Sequence, residues 1–234
     1  MSVQEIRARL RKLGDKERAK NSQWFFKTGP GEYGEGDRFL GIKVPELRKL
    51  AKEYQATPLA ETTQLLRSPI HEERLLALLL LVRAFAKGDE RFKEKIYHLY
   101  LDNTQCINNW DLVDLSAVYI VGAFLMEKSK KPLYALAKSN NLWERRIAII
   151  ATFYFIKEGE FTEAMKIARM LLFDKEDLIH KAVGWMLREV GKRHLATEER
   201  FLKEHNKKMP RTMLRYAIER FPEQKRKRYL KGKI

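Results

Sequence analysis

The chain has 234 residues, 44% of them hydrophobic, which allows one large domain or two small ones with a sizeable core and excludes wholesale disorder. Forty-seven Lys and Arg against 31 Asp and Glu give a net charge of +16, so a polyanion, most often nucleic acid, is the partner the charge favours. The longest apolar run, Leu75 to Val82, is too short to span a membrane, the start MSVQEIRARLRKLG has no apolar stretch of signal-peptide length, and a single cysteine, Cys106, excludes an intramolecular disulfide and a cysteine-cluster metal site. The expectation is a basic, cytoplasmic protein (nucleoid-associated if bacterial), monomeric, with no metal and no cofactor.

Apolar residues recur at intervals of three and four, and strand-like alternation is hard to find, so the chain predicts about a dozen helices. An N-terminal helix pair occupies 1–28. A glycine-rich loop follows at 28–41 and contains Gly29-x-Gly31-x-x-Gly34, the spacing of a dinucleotide fingerprint. No strand precedes it, and two glutamates stand where phosphates would sit, so it predicts a loop and no nucleotide cofactor. Repeats fill 42–221. Within them Ser68-Pro69 opens a helix that runs to about Lys87, and Asn141 with Glu144 resembles a capping box. Lys131-Pro132, Met209-Pro210 and Phe221-Pro222 are similar starts, and Asp89, Asp174 and Thr197 are candidate caps. The tail, 222–234, carries KRKRYLKGK from Lys225 to Lys233 and reads as a basic arm or a frayed end.

A charged residue followed three positions later by a small one recurs along the chain: Arg48 and Ala51, Arg74 and Ala77, Asp114 and Ala117, Arg145 and Ala148, Lys181 and Gly184. Ala217 closes the series, with Leu214 in the charged slot. Such spacing suits one antiparallel helix pair per unit, the small residue letting neighbouring helices approach closely. The fold class this predicts is all-α, a curved α-solenoid of HEAT-like helix pairs forming a single domain over 1–234.

Asp114 is the exception in a basic series. It either pairs with an arginine as a structural residue or serves a task other than binding. Trp110 lies one helical turn before it on the same face. Trp143 and Trp185 fall near the same slots of later units; Trp143 reads as core, and Trp185 suits either role. Aromatic faces beside cations grip sugars and bases. The five histidines form no metal-binding spacing: His71-Glu72-Glu73 lacks a second histidine. Cys106 reads as a packed thiol.

WDLVDLSA (Trp110 to Ala117), NLWERRIAII (Asn141 to Ile150), HKAVGWMLREV (His180 to Val190) and FLGIKVPELRKLAK (Phe39 to Lys52) together resemble the DNA alkylation repair family of AlkD-like alkylpurine DNA glycosylases, from about Phe25 to Phe221. The resemblance implies HEAT-like repeats and cleavage of the N-glycosidic bond of N3- and N7-alkylated purines in duplex DNA, within base excision repair. By motif, Asp114 matches the catalytic carboxylate. Trp110 and Trp185 match aromatics flanking the lesion's sugar, and Arg146 matches the arginine beside the carboxylate. The repeat register had put Arg145 in that slot. Phe25 aligns loosely with an aromatic of the N-terminal helix. Leu178, seven residues before Trp185, departs from the family's aromatic, a departure that touches a contact to the lesion or its flank and not the chemistry.

Glycoside hydrolysis ordinarily uses two carboxylates. A cationic alkylpurine leaves as a neutral base and needs no protonation, so one ionised Asp114 suffices to stabilise the oxocarbenium-like sugar and position water. Arg48, Arg74, Arg145, Lys181, Arg188 and Arg215 are the expected phosphate contacts. The alternatives are a non-catalytic solenoid for damaged or branched DNA and, less favoured by the charge, a protein-interaction scaffold.

Overall fold

The computed structural model describes residues 2–234 and is built from helices and turns; the only β-type pairing among the described residues is an isolated bridge between Arg38 and Ile70. This is the all-α helical-repeat fold expected. The chain divides into two compact units, ending and beginning at Ile120 and Val121, and each is taken by itself.

The first unit opens with α1 (Val3–Leu13) and α2 (Lys16–Phe25), the anticipated helix pair. Ser2 and Glu5 form a capping box on α1, and Asp15 caps α2 through the Arg18 N–H. Then come α3 (Val44–Glu53), α4 (Leu59–Leu66), α5 (His71–Lys87), α6 (Glu90–Leu101) and the one-turn α7 (Trp110–Asp114). Leu75 to Leu81 are all buried, so α5 is apolar on every side, and α3, α4, α6 and α7 pack around it. Its start differs from expectation. Ser68 accepts from the Ile70 N–H, Pro69 lies before the helix, and the first helical residue is His71.

The glycine-rich segment is a loop, as predicted. The Glu32 and Glu35 carboxylates take the N–H groups of Gly29 and Gly31, filling the place a phosphate would need. Gly41, at φ 79°, ends the segment where a Cβ would lie 2.3 Å from the Asp15 carbonyl. Only glycine lets the loop press so closely on the start of α2.

A π-helical turn, Val118–Gly122, leads into the second unit: α8 (Ala123–Leu125), α9 (Lys131–Ala137), α10 (Leu142–Lys157), α11 (Thr162–Met170), α12 (Asp177–Gly191), α13 (Leu195–His205), α14 (Arg211–Ala217) and α15 (Glu223–Leu230). Alternate helices stack: α10 on α12 and α12 on α14, with α9 on α11. This is the arrangement of repeated helix pairs. Gly184 and Ala217 meet where α12 stacks on α14. Ala148 and Ala217 are buried, and a Cβ on Gly184 would lie 2.5 Å from both the Met213 carbonyl oxygen and Tyr216 Cβ.

Asn141 caps α10 by accepting from the Trp143 N–H, and Asp89 caps α6. Pro132 lies within the first turn of α9, whereas Pro210 and Pro222 stand one residue before their helices. Glu176, not Asp174, is the N-cap of α12, and α13 has already begun at Thr197. The basic tail is neither loose nor frayed: most of it is α15, anchored by the buried Tyr229 against Phe221. No helix among the described residues is long and apolar enough to cross a membrane.

Candidate active site

The first unit brings Phe25, Trp110 and Asp114 to one place. Helix α7 is only five residues long, so Trp110 and Asp114 are its two ends, one turn apart on the same face. Asn109, fully buried, caps it through the Trp110 N–H. Trp110 and Asp114 are both half-buried. The Asp114 charge reaches the buried Tyr100, whose phenol burial pushes to a higher pKa and whose ionisation the carboxylate further opposes. Tyr100 Oη is 2.9 Å from Ser116 Oγ.

Aromatic rings assemble on Trp110. The exposed Phe25 meets it edge-on at 6.1 Å, and Phe26 stacks on it at 5.4 Å with the planes 25° apart. A surface cavity of about 710 Å³ opens beside Phe25, walled by Trp24, Ile42 and Pro45 and bordered by Arg18 and Lys43. The Trp110 indole and the Phe25 ring, with Arg18 and Lys43 bordering the cavity at Phe25, form a surface suited to a sugar or a base.

Trp185 and Arg146 belong to the second unit, on the stacked helices α12 and α10. Trp185 is half-buried, its ring 5.9 Å from Phe153, and its Nε1–H donates to Glu189 at 3.2 Å. Burial pushes the Glu189 carboxyl up, but Lys192, Arg193 and the indole N–H outweigh it and hold the group below its ordinary value. Arg146 is buried and donates from Nη1 to the Leu178 carbonyl at 2.5 Å. Trp143 is buried, as a core residue should be.

The expected phosphate contacts divide. Arg74 is a correction: its side chain is buried, donating to Asp37 at 2.7 Å and to the Ser68 carbonyl at 3.0 Å, and it cannot meet a phosphate. Arg145 is likewise committed, to Asp174 and to the carbonyls of Ser139 and Asn140. The physical reason is shared. Each arginine, in the first turns of its helix, folds back to donate to a carbonyl of the loop before it, while an aspartate brought from elsewhere in the chain takes its charge. Arg188 pairs with Glu219, and Lys181, half-buried, lies 2.8 Å from Asp177. Arg48 and Arg215 are exposed.

Sequence reasoning missed the residues behind Trp110. His71, set aside for want of a second histidine, lies between Asp37 and Asp111, while Phe26 and Phe39 cover its ring. The one available sign was the polar tetrad His71-Glu72-Glu73-Arg74 at the head of an apolar helix; all four are buried.

A family model described as DNA alkylation repair enzyme matches residues 6–221. Among solved structures, a predicted DNA alkylation repair enzyme from Enterococcus faecalis is 18% identical, with a TM-score of 0.68 over 90% of this chain and 98% of that one. AlkD2 from Streptococcus mutans is 21% identical, with a TM-score of 0.53 over 95% and 100% of the two chains. The protein smu.31 from Streptococcus mutans UA159 is 22% identical, with a TM-score of 0.51 over 94% and 99%. At such identities the likeness is one of fold. No curated protein matches the chain significantly.

Proposed function

Because the chain belongs to the DNA alkylation repair enzyme family, we propose that it is a monofunctional DNA glycosylase that hydrolyses the N-glycosidic bond of positively charged N3- and N7-alkylpurines in duplex DNA. The observation that carries this reading is α7, which sets the Trp110 indole and the Asp114 carboxylate one turn apart with the exposed Phe25 against the indole. The net charge of +16 suits a DNA substrate.

The chemistry follows from the lesion. Its purine carries a formal positive charge and departs as a neutral base, so no general acid is required. As the bond breaks, positive charge builds on the sugar. The Asp114 carboxylate stabilises that charge and accepts a hydrogen bond from the attacking water. The negative face of the Trp110 indole adds attraction for the cationic sugar. Trp185 and Arg146 are assigned to the same reaction on their motifs alone. Arg145, engaged by Asp174, is set aside in favour of Arg146. Arg48, Lys181 and Arg215 are the proposed phosphate contacts.

The test compares duplexes bearing a single N7-methylguanine or a single uracil. The reading expects release of the methylated base and little release of uracil, which leaves poorly without a proton. Uracil release at a comparable rate overturns the one-carboxylate mechanism. A protein that binds duplex but releases no base is a binding module, and one that neither binds nor cuts is a scaffold.

A further inference from the structure

Helix α5 begins with four consecutive buried polar residues that tie it to α1, to the loop before α3 and to α7. Glu73 holds Arg7 of α1 at 2.9 Å. Glu72 accepts the N–H groups of Leu40, Gly41 and Ile42 at 2.9, 2.7 and 3.2 Å. Arg74 takes Asp37 and the Ser68 carbonyl. His71 is the one directed at α7: its Nε2 is 2.8 Å from Asp111 Oδ2, and its Nδ1 is 3.1 Å from Asp37 Oδ2.

We propose that His71 is a positioning residue for the reaction site, an imidazolium clamp that ties the loop carboxylate Asp37 to Asp111 and bears the aromatic stack on which Trp110 rests. The proposal rests on the reading of Trp110 and Asp114 given above.

Four observations carry it. Both ring nitrogens face carboxylate oxygens, which only accept, so both carry hydrogen and the ring is charged. The cluster also balances only in that state: Asp37 and Asp111 supply two negative charges, His71 and Arg74 two positive ones, all with side chains at most 9% exposed. A neutral His71 would bury a net negative charge and aim a lone pair at an oxygen. Next, the imidazolium lies under Phe39 at 4.6 Å and Phe26 at 5.1 Å, and the other face of this stack is Trp110, 5.4 Å from Phe26. An aromatic face attracts a cation, so the charge orders the rings. Finally, a five-residue helix is too short to fix its own orientation. Asp111 ties α7 to α5 through one oxygen, Oδ2 accepting from His71, while Oδ1 is held within the helix by the N–H of the next residue, Leu112, at 2.9 Å. Asp111 is the neighbour of Trp110, and one turn later the same helix ends at Asp114.

The groups facing His71 are Asp37 from the loop, Asp111 from α7 and Arg74 from its own helix. Burial opposes the charge on His71, but the two carboxylates outweigh it and raise its pKa to about 9. Burial likewise pushes Asp37 up, yet His71 and Arg74 hold it below its ordinary value. For His71 the folded value lies above the unfolded value of about 6.5, so the stability its charge contributes is fully present below about pH 6.5 and is lost as pH rises through about 9, where the clamp itself titrates.

The test reads Trp110 without DNA first. The protein contains four tryptophans; labelled with 5-fluorotryptophan, it gives a fluorine spectrum in which Trp110 is assigned with Trp110→Phe. In the wild type the Trp110 resonance is expected to move with a midpoint near pH 9. In His71→Gln it is expected to be displaced at neutral pH and to show no such titration, with the Trp143 and Trp185 resonances unmoved. Base release from N7-methylguanine duplex is expected to slow by on the order of 100-fold under single-turnover conditions, as a misplaced reacting group would. Duplex affinity is expected to stay within about twofold, the pattern of a lost transition-state interaction. A Trp110 resonance unmoved in folded His71→Gln, with an unchanged rate, overturns the proposal. If His71→Gln does not fold, the wild-type titration decides, and a Trp110 resonance constant up to alkaline unfolding overturns it. If the wild type releases no base, the glycosylase reading fails and the fluorine spectra alone decide the positioning role.

Discussion

Arg145 holds Asp174 with two hydrogen bonds, 2.6 Å from Nε and 3.3 Å from Nη2, whereas Arg74, in the first unit, holds Asp37 with one, 2.7 Å from Nη2. Each also donates to the carbonyl of a serine six residues before it, Ser139 or Ser68. These arginines are repeat fasteners. Arg74→Ala is therefore expected to destabilise the protein by about 3–5 kcal/mol, because it leaves Asp37 buried with half its compensation. Arg145→Ala, in a pair open to solvent on one side, should cost less, about 1–3 kcal/mol. Urea denaturation measures both.

The exposed arginines should behave in the opposite sense. Arg48→Ala and Arg215→Ala are expected to change stability by less than about 0.5 kcal/mol. Each should lower the slope of duplex affinity against log salt by about 1. A salt titration of binding to unmodified duplex checks this. Unchanged slopes would remove Arg48 and Arg215 from the proposed phosphate contacts.

At Gly184 the stacking of α12 on α14 leaves no room for a methyl group. A Cβ there would meet the Met213 carbonyl oxygen and Tyr216 Cβ, both at 2.5 Å, and at least one is backbone that cannot swing away. Gly184→Ala is expected to cost about 1–3 kcal/mol despite the better helix propensity of alanine. A stability equal to or above wild type would show that the two helices are not held at this distance.

Much of this architecture was legible in the residues. The small positions Gly184 and Ala217 mark a real contact of α12 with α14, and the loop at 28–41 carries its own carboxylates at its glycine N–H groups. The charged slots were misread for a physical reason. Composition shows that Arg74 and Arg145 are cationic, but whether a guanidinium meets solvent depends on partners far along the chain, Asp37 and Asp174. His71 was opaque in the same way, since its two aspartates stand 34 and 40 residues distant. The candidate site was legible where it is local: Trp110 and Asp114 share one turn. In the tail Phe221-Pro222 marked the start of α15, but not the contact of Tyr229 with Phe221 that ties the helix down, because that contact joins side chains eight residues apart across a turn.

Glu198 supplies a pH prediction outside the site. Its carboxyl is buried on α13, and burial, reinforced by the Glu199 charge, raises its pKa to about 8. Since the folded value exceeds the ordinary value of 4.5, folding favours the protonated acid. Stability from this group is fully present below about pH 4.5 and is lost as pH rises through about 8. Glu198→Gln keeps the neutral shape and should stabilise the protein at pH 8 by roughly 2 kcal/mol relative to wild type, with the advantage vanishing near pH 4. Thermal melts at the two pH values decide it; an equal effect at both would mean that Glu198 is not held as the acid.

The central claim concerns one carboxylate. Base release from an N7-methylguanine duplex, measured under single-turnover conditions for wild type and Asp114→Asn at equal saturation, tests it most directly. The account predicts release by the wild type and a loss of at least about 100-fold in the variant, with duplex binding retained, since Asn preserves size but not charge. Asp114→Asn releasing the base as fast as the wild type would contradict it.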